Sequence, residues 1–392
     1  MEILEQISSP DIWREFLQYK IEKQPGYNPP DPIKRQINKS GISKKRVVYS
    51  YPADFNIFLK MIAFLLYKYD NLFADNCYAF RRDYGVKDAI RRIRLTENIS
   101  EKYCLKVDIS NYFNSIYVPM LLEKLAFLKK DDNSLYQMFE KLLMSDKAVV
   151  DKDDKAESTD KNDKVKEEEN RKIIVEKRGA MAGIPVSPFF ANVYLMDIDR
   201  YFNEKGILYF RYSDDILIFA DSYDELRGLQ EKLCQMILAH HLTLNPAKVQ
   251  LSGPDEAWEF LGFAYVNGRV DLSGNTKRKL KKKIKRKAHA LRRWQTKRGL
   301  SGDKAAKGFI KAMNHKFFDN GEGTEFSWSR WFFPNLTTDE GLKEVDAYLQ
   351  QYIRYCVTGR HYKGNYRITY GKMKEWGYRN LVHEYYQSRQ KR

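Results

Sequence analysis

The sequence predicts an α+β fold, and three stretches carry that expectation. Residues 207–221, ILYFRYSDDILIFAD, set two apolar runs around Ser213-Asp214-Asp215, the pattern of a β-hairpin with adjacent carboxylates at its turn. Ser222-Tyr223-Asp224-Glu225 follows as a capping box. It opens an amphipathic helix with Leu226, Leu229, Leu233, Met236 and Ile237 on one face. Further on, more than half of residues 277–298 are Lys or Arg, and Leu280, Ile284, Leu291 and Trp294 mark one narrow packing stripe.

Each element then has its own warrant in chain order. Residues 1–43 hold an acidic, helix-like start and a turn-rich QPGYNPPDP. Lys44-Lys45-Arg46 leads into an alternating strand, a helical pattern runs through 55–69, and residues 78–90 open another helix. At 106–116 a strand ends in Asp108 and an aromatic pair, Tyr112-Phe113, follows. Residues 146–171 are nearly devoid of apolar side chains and carry both charges densely, so they read as an inserted loop or exposed charged helix. Gly183, Pro185, Ser187 and Pro188 form a turn-rich lead into an apolar helix, with Ser187 placed to cap its first turn. Residues 301–392 mix helix signals with many aromatics, which are expected mostly in the core.

Composition bounds the partners. A chain of 392 residues with 43% hydrophobic content can bury a sizeable core. Its net charge of +17 points to a polyanion. Cys77, Cys104, Cys234 and Cys356 lie far apart without metal-ligand spacing, so no disulfide framework or zinc site is expected and a cytoplasmic setting fits. The start lacks a leader pattern, and the longest apolar run, 61–67, is too short for a bilayer, so no membrane partner is expected.

Adjacent acids on a buried hairpin repel one another unless a cation neutralises them, and hard carboxylate oxygens suit Mg²⁺. Tyr212-Ser213-Asp214-Asp215 resembles the Tyr-x-Asp-Asp box of reverse transcriptases. Asp108, the Gly-x-Pro-x-Ser-Pro form at 183–188, Asn245-Pro246-Ala247-Lys248 and Phe260-Leu261-Gly262-Phe263 fall in that family's order. The resemblance, to prokaryotic enzymes of the retron, group II intron or phage-defence kind, spans roughly residues 44–263. It implies the right-hand polymerase fold: an antiparallel palm sheet, α/β fingers and a helical basic thumb. The implied boundaries are an N-terminal extension at 1–43, fingers at 44–105, palm at 106–265 with the charged insertion 146–171, the start of the thumb at 266–300, and a C-terminal thumb or accessory helical region at 301–392.

The same resemblance implies site roles. Asp108, Ile109, Asp214 and Asp215 would hold two Mg²⁺ ions, and Lys248 would act as general acid toward the leaving pyrophosphate. Lys45, Arg46 and Arg81 would contact the triphosphate. Phe113 would pack under the sugar and select dNTPs, while Ala182, Gly183 and Tyr212 would line the nucleotide site. Ala182 stands where many relatives carry Gln, so one polar contact is missing there. Ser187, Lys281, Lys285 and Arg292 would touch nucleic acid, the thumb cations through phosphates. The expected function is RNA-directed DNA synthesis in antiviral defence. The partners would be a cognate non-coding RNA template, the DNA product, dNTPs, and a second protein or second copy of the chain. The alternatives are an untemplated or protein-primed nucleotidyltransferase and a non-catalytic RNA-binding or splicing cofactor.

Overall fold

A computed structural model describes residues 29–38, 45–145, 147–149, 172–174, 177–318 and 327–390. It divides into two compact units, one formed by Met1–Gly85 and Tyr103–Leu251, the other by Val86–Lys102 and Ser252–Arg392. This division crosses the sequence boundaries: residues 86–102, expected in the fingers, and 252–265, expected in the palm, both fall in the second unit.

In the first unit β1 (Ile33–Asn38) and β2 (Lys45–Ser50) pair antiparallel, with Ile37 opposite Arg46 and Asn38 opposite Lys45. β1 lies inside the stretch read as an extension; the prolines just before it masked its short strand pattern. The helix Ala53–Leu65 starts after Pro52 and buries Phe55, Phe58, Leu59 and Ile62, the three-and-four spacing of one helical face. β3 (Tyr103–Asp108) comes next in the chain. β4 (Lys147–Val149) and β5 (Lys172–Ile174) pair antiparallel, and β4 joins β1 in parallel. Residues 147–149 of the expected loop are therefore strand, and the rest of 146–171 lies outside the described residues.

The hairpin is present as β6 (Tyr209–Tyr212) and β7 (Asp215–Ala220). β7 pairs antiparallel with β3 from Tyr103↔Ala220 to Asp108↔Asp215. β8 (Gln250–Ser252) completes the order β6-β7-β3-β8. The helix Tyr223–Ala239 packs on β3 and β7, burying Leu226, Leu233 and Ile237 completely. Half of its capping box forms as read: the Ser222 hydroxyl accepts from the Glu225 N–H at 3.2 Å, while the Glu225 carboxylate accepts from the Asp221 N–H at 3.0 Å. The helix Ser187–Glu204 packs on β6.

The second unit holds an antiparallel meander of β9 (Trp258–Phe260), β10 (Phe263–Val266) and β11 (Arg269–Leu272). Leu261 and Gly262 join β9 to β10 with φ of +52° and +92°, the left-handed pair that a two-residue hairpin requires. After it the helices Gly274–Lys297, Gly302–Phe317 and Glu340–Thr358 pack on one another. The basic stripe is only partly as expected. Leu280, Ile284 and Ala288 are buried, but Trp294 is 40% exposed. Most C-terminal aromatics are core, including Trp328, Phe332, Phe333, Tyr352 and Tyr378, whereas Tyr362 and Tyr366 are exposed. Among the described residues no helix is long and apolar enough to cross a membrane.

Candidate active site

The site sits at one end of β3 and β7 in the first unit. Asp108 and Asp215 are directly opposite across an antiparallel pair, so their side chains leave the same face with Cβ atoms about 5 Å apart. Asp214 occupies the turn beside them. Ser213 before it has a φ of +62°, the left-handed value demanded at the first central position of a two-residue hairpin turn. The Ile109 N–H donates to the Asp214 carbonyl at 3.1 Å and continues the ladder past the acids. The Ile109 side chain itself is fully buried, so only its main chain can serve a metal.

A second strut comes from the loop after the long covering helix. The Ser110 N–H donates to the Thr243 carbonyl and the Asn245 N–H to the Asp108 carbonyl, both at 2.8 Å. This holds residues 243–245 against Asp108 and swings Lys248 inward, where its Nζ lies 2.5 Å from Asp108 Oδ2. Asp108 is 5% exposed. Burial pushes the Asp215 carboxyl above the usual range; Lys106 opposes this, while Asp214 and Asp108 add to it. The charged form of Asp215 is thus disfavoured where it sits.

The fit of the acids to a divalent cation follows from donor chemistry. The available ligands are hard carboxylate oxygens, and one cationic group already seats on Asp108. Among the described residues no three His, Cys, Asp or Glu side chains close into a metal cage. Hard carboxylate oxygens of this kind suit a divalent cation that also takes phosphate and water oxygens.

Aromatic side chains wall the same region. Tyr112 turns into the core and donates to the Ala191 carbonyl, while half-buried Phe113 meets Phe80 edge to face at 6.2 Å between centroids. Phe80 in turn lies 6.3 Å from the Tyr212 ring. The 179–183 lead is pinned to this wall. The Ala180 N–H donates to the Phe113 carbonyl and the Gly179 N–H to the Ile116 carbonyl, both at 2.7 Å. Gly183, at φ +110°, lets the lead pass β2 so closely that a Cβ would stand 3.0 Å from the Tyr49 carbonyl oxygen. Ala182 is buried beside it and accepts from the Tyr49 N–H at 2.8 Å.

Three expectations change on the structure. Arg81 does not project: its guanidinium donates to the carbonyls of Asp70, Ala74 and Cys77 and stacks on Tyr84. Its neighbour Arg82 is the exposed cation of that turn. Ser187 is neither a cap nor a surface contact. It lies inside the first helical turn, 1% exposed, and its hydroxyl reaches back to the carbonyls of Ala180 and Met181. Arg292 satisfies the carbonyls of Cys356 and Val357 at the end of the helix Glu340–Thr358, a C-capping role. Lys281 pairs with Glu344 at 2.6 Å, and Lys285 is exposed. For Lys45 and Arg46 the described structure gives strand position only.

Sequence reading missed Arg211, Asp199 and Asn192, all fully buried beneath the hairpin. The available signal was a charged or amide side chain inside an otherwise apolar strand or helix, which is costly unless partnered.

Residues 37–265, more than half of the chain, match the family described as reverse transcriptase (RNA-dependent DNA polymerase). The chain belongs to that family. Its α+β architecture with the antiparallel hairpin sheet is the palm of the right-hand polymerase fold. The retron Ec86 reverse transcriptase of Escherichia coli is 26% identical over 117 residues, 29% of this chain and 37% of that relative. The match thus spans little more than a third of the curated relative's length. Among solved structures, apo telomerase from Candida tropicalis truncated from its C-terminal domain superposes with a TM-score of 0.47 at 13% identity, covering 69% of this chain and 60% of that one. Telomerase from Candida albicans in complex with a fragment of telomeric RNA gives 0.41 at 12% identity, covering 93% and 67%.

Proposed function

We propose that this protein is an RNA-directed DNA polymerase that extends a primer 3′-hydroxyl with dNTPs. The observation that carries the reading is the pairing of Asp108 with Asp215 beside Asp214, with Lys248 seated on Asp108, in a chain of the reverse transcriptase family. Asp108, Asp214 and Asp215 would hold Mg²⁺. When bound, two such ions activate the primer hydroxyl and neutralise charge on the transferred and leaving phosphates. The protein's own residues do the rest. Lys248 would donate a proton to the departing pyrophosphate oxygen. Phe113, with the Phe80 ring against it, would pack under the sugar and disfavour a 2′-hydroxyl.

The likeness to a retron reverse transcriptase supports a dedicated non-coding RNA as template, and an antiviral role goes with that template. Exposed cations on the helix Gly274–Lys297, Lys285 among them, would grip duplex phosphates. The test is to isolate the protein with its bound nucleic acid, add Mg²⁺ and labelled dNTPs, and sequence RNA and DNA. A co-purifying RNA and its labelled complement are expected. Untemplated or repeat DNA would refute the template assignment, and no synthesis on an added primer-template would refute the polymerase reading.

A further inference from the structure

Beneath the hairpin lies a polar network in which Cys77, Asn192, Asp199 and Arg211 are all completely buried. Arg211 grips Asp199 with a fork, Nε donating to Oδ1 at 2.7 Å and Nη2 to Oδ2. The Tyr209 hydroxyl donates to the same carboxylate at 3.1 Å. The remaining donors of the guanidinium point elsewhere. Nη1 donates to the Ser213 carbonyl at 3.2 Å and to Asn192 Oδ1 at 3.4 Å, and Nη2 to Cys77 Sγ at 3.1 Å. Asn192 Nδ2 then donates to the Ala79 carbonyl at 2.7 Å. The main chain repeats the link: the Arg211 N–H donates to the Asn76 carbonyl and the Tyr78 N–H to the Arg211 carbonyl, both at 2.9 Å.

Two turns are therefore held by one network, and both are strained. Ser213, at φ +62°, directly precedes Asp214, and Phe80, at φ +58°, directly follows Ala79. A bulky side chain in the left-handed region persists only where its surroundings over-determine it. Phe80 is 38% exposed, so burial of its ring does not account for the strain. Its ring meets Phe113 and Tyr212. A buried ion pair is not the cheapest way to fill a core, since apolar residues of similar volume often serve as well or better. What the planar fork adds is direction.

We propose that Arg211, with Asp199 and Asn192, is a positioning clamp that locks the acid-bearing turn and the Ala79-Phe80 turn in mutual register, making Phe80 a further specificity-determining residue beside Phe113. The inference rests on the polymerase reading for its kinetic arm and on geometry alone for its exchange arm.

The experiment compares wild type with Arg211→Lys, which keeps the charge and loses the fork, and with Arg211→Gln/Asp199→Asn, which removes both charges at similar volume. Phe80→Ala and Asn192→Ala complete the set. Amide exchange by mass spectrometry is read over 74–84 and 207–220, and kcat and KM for dNTPs and rNTPs are measured on an RNA template well below each variant's melting point. Both Arg211 variants should exchange at least ~10-fold faster in the two segments while RNA binding holds within ~2-fold, and kcat should fall by ~10- to 100-fold, the scale set by small misplacements of reacting groups. Phe80→Ala should cut the dNTP-over-rNTP preference by ~10-fold with exchange over 207–220 unchanged.

A neutral double variant with wild-type exchange, kcat and preference overturns the clamp. Should the Arg211 variants fail to fold, Asn192→Ala leaves the ion pair intact and must speed exchange over 74–84 and lower the preference; no change in either overturns it equally. If wild type makes no DNA, the polymerase reading fails while the exchange arm still decides the clamp.

Discussion

At the scale of single residues, Asp215 concentrates the electrostatic problem of the site. Burial raises its pKa, and Asp214 and Asp108 reinforce the shift against Lys106 and Lys248. The sign of the linkage is fixed. A carboxyl raised on folding penalises the folded state as pH climbs from the ordinary carboxylate value through the raised one, so the penalty is present at neutral pH and absent in acid. Mg²⁺ should therefore raise Tm more at about pH 7.5 than at about pH 5. Asp215→Asn should raise the metal-free Tm at neutral pH and abolish the Mg²⁺ response; scanning fluorimetry checks both, and an equal Mg²⁺ shift in the variant would contradict them. Lys248→Met should lower the single-turnover extension rate by ~10²-fold or more with RNA affinity unchanged. The positions of Asp108, Asp214 and Lys248 were legible because they sit at the ends of strands or turns whose pattern is local. Those of Arg81, Ser187 and Arg292 were not, because which way a side chain points depends on carbonyls brought near by the fold.

At the scale of elements, the site is built from tight turns hung on regular strands. Ser213, Phe80, Asn111 and Met181 all take positive φ in the loops around it, and such strain gathers where a backbone must present groups rather than pack them. The hairpin, β3, the capping box and the basic helix were readable from periodicity. β1 and the strand at 147–149 were not, since short strands beside prolines or charge runs have too few alternations to register. Two consequences belong here. Asp199→Ala strands the Arg211 charge in the core and should cost ~3–5 kcal/mol, whereas the neutral pair Arg211→Gln/Asp199→Asn should cost far less; urea titration distinguishes them. Ser222→Ala removes the cap of the helix Tyr223–Ala239 and should cost about 1 kcal/mol with no effect on RNA binding, as seen by the same titration.

At the scale of the whole molecule, the proposed function divides the labour, with the positive charge giving affinity and the acids chemistry. The net charge of +17 would supply a salt-dependent, sequence-independent hold on nucleic acid. Asp214→Asn with Asp215→Asn should thus leave RNA affinity within ~3-fold at every salt concentration, while each exposed cation removed from the helix Gly274–Lys297, such as Lys285→Ala, should lower the log-log salt slope by about 1. The class of the molecule was legible because its boxes occur in series. The grouping of 86–102 with 252–392 was not, because it depends on long-range packing that no local pattern encodes. RNA-directed DNA synthesis is measured by primer extension on a defined RNA template, comparing dNTPs with NTPs in Mg²⁺ for wild type and for the double aspartate variant. Wild type should make complementary DNA with a strong preference for dNTPs, and the variant should bind the template but make no product. Product from the variant, or wild-type DNA that is not complementary to the template, would contradict the proposed function.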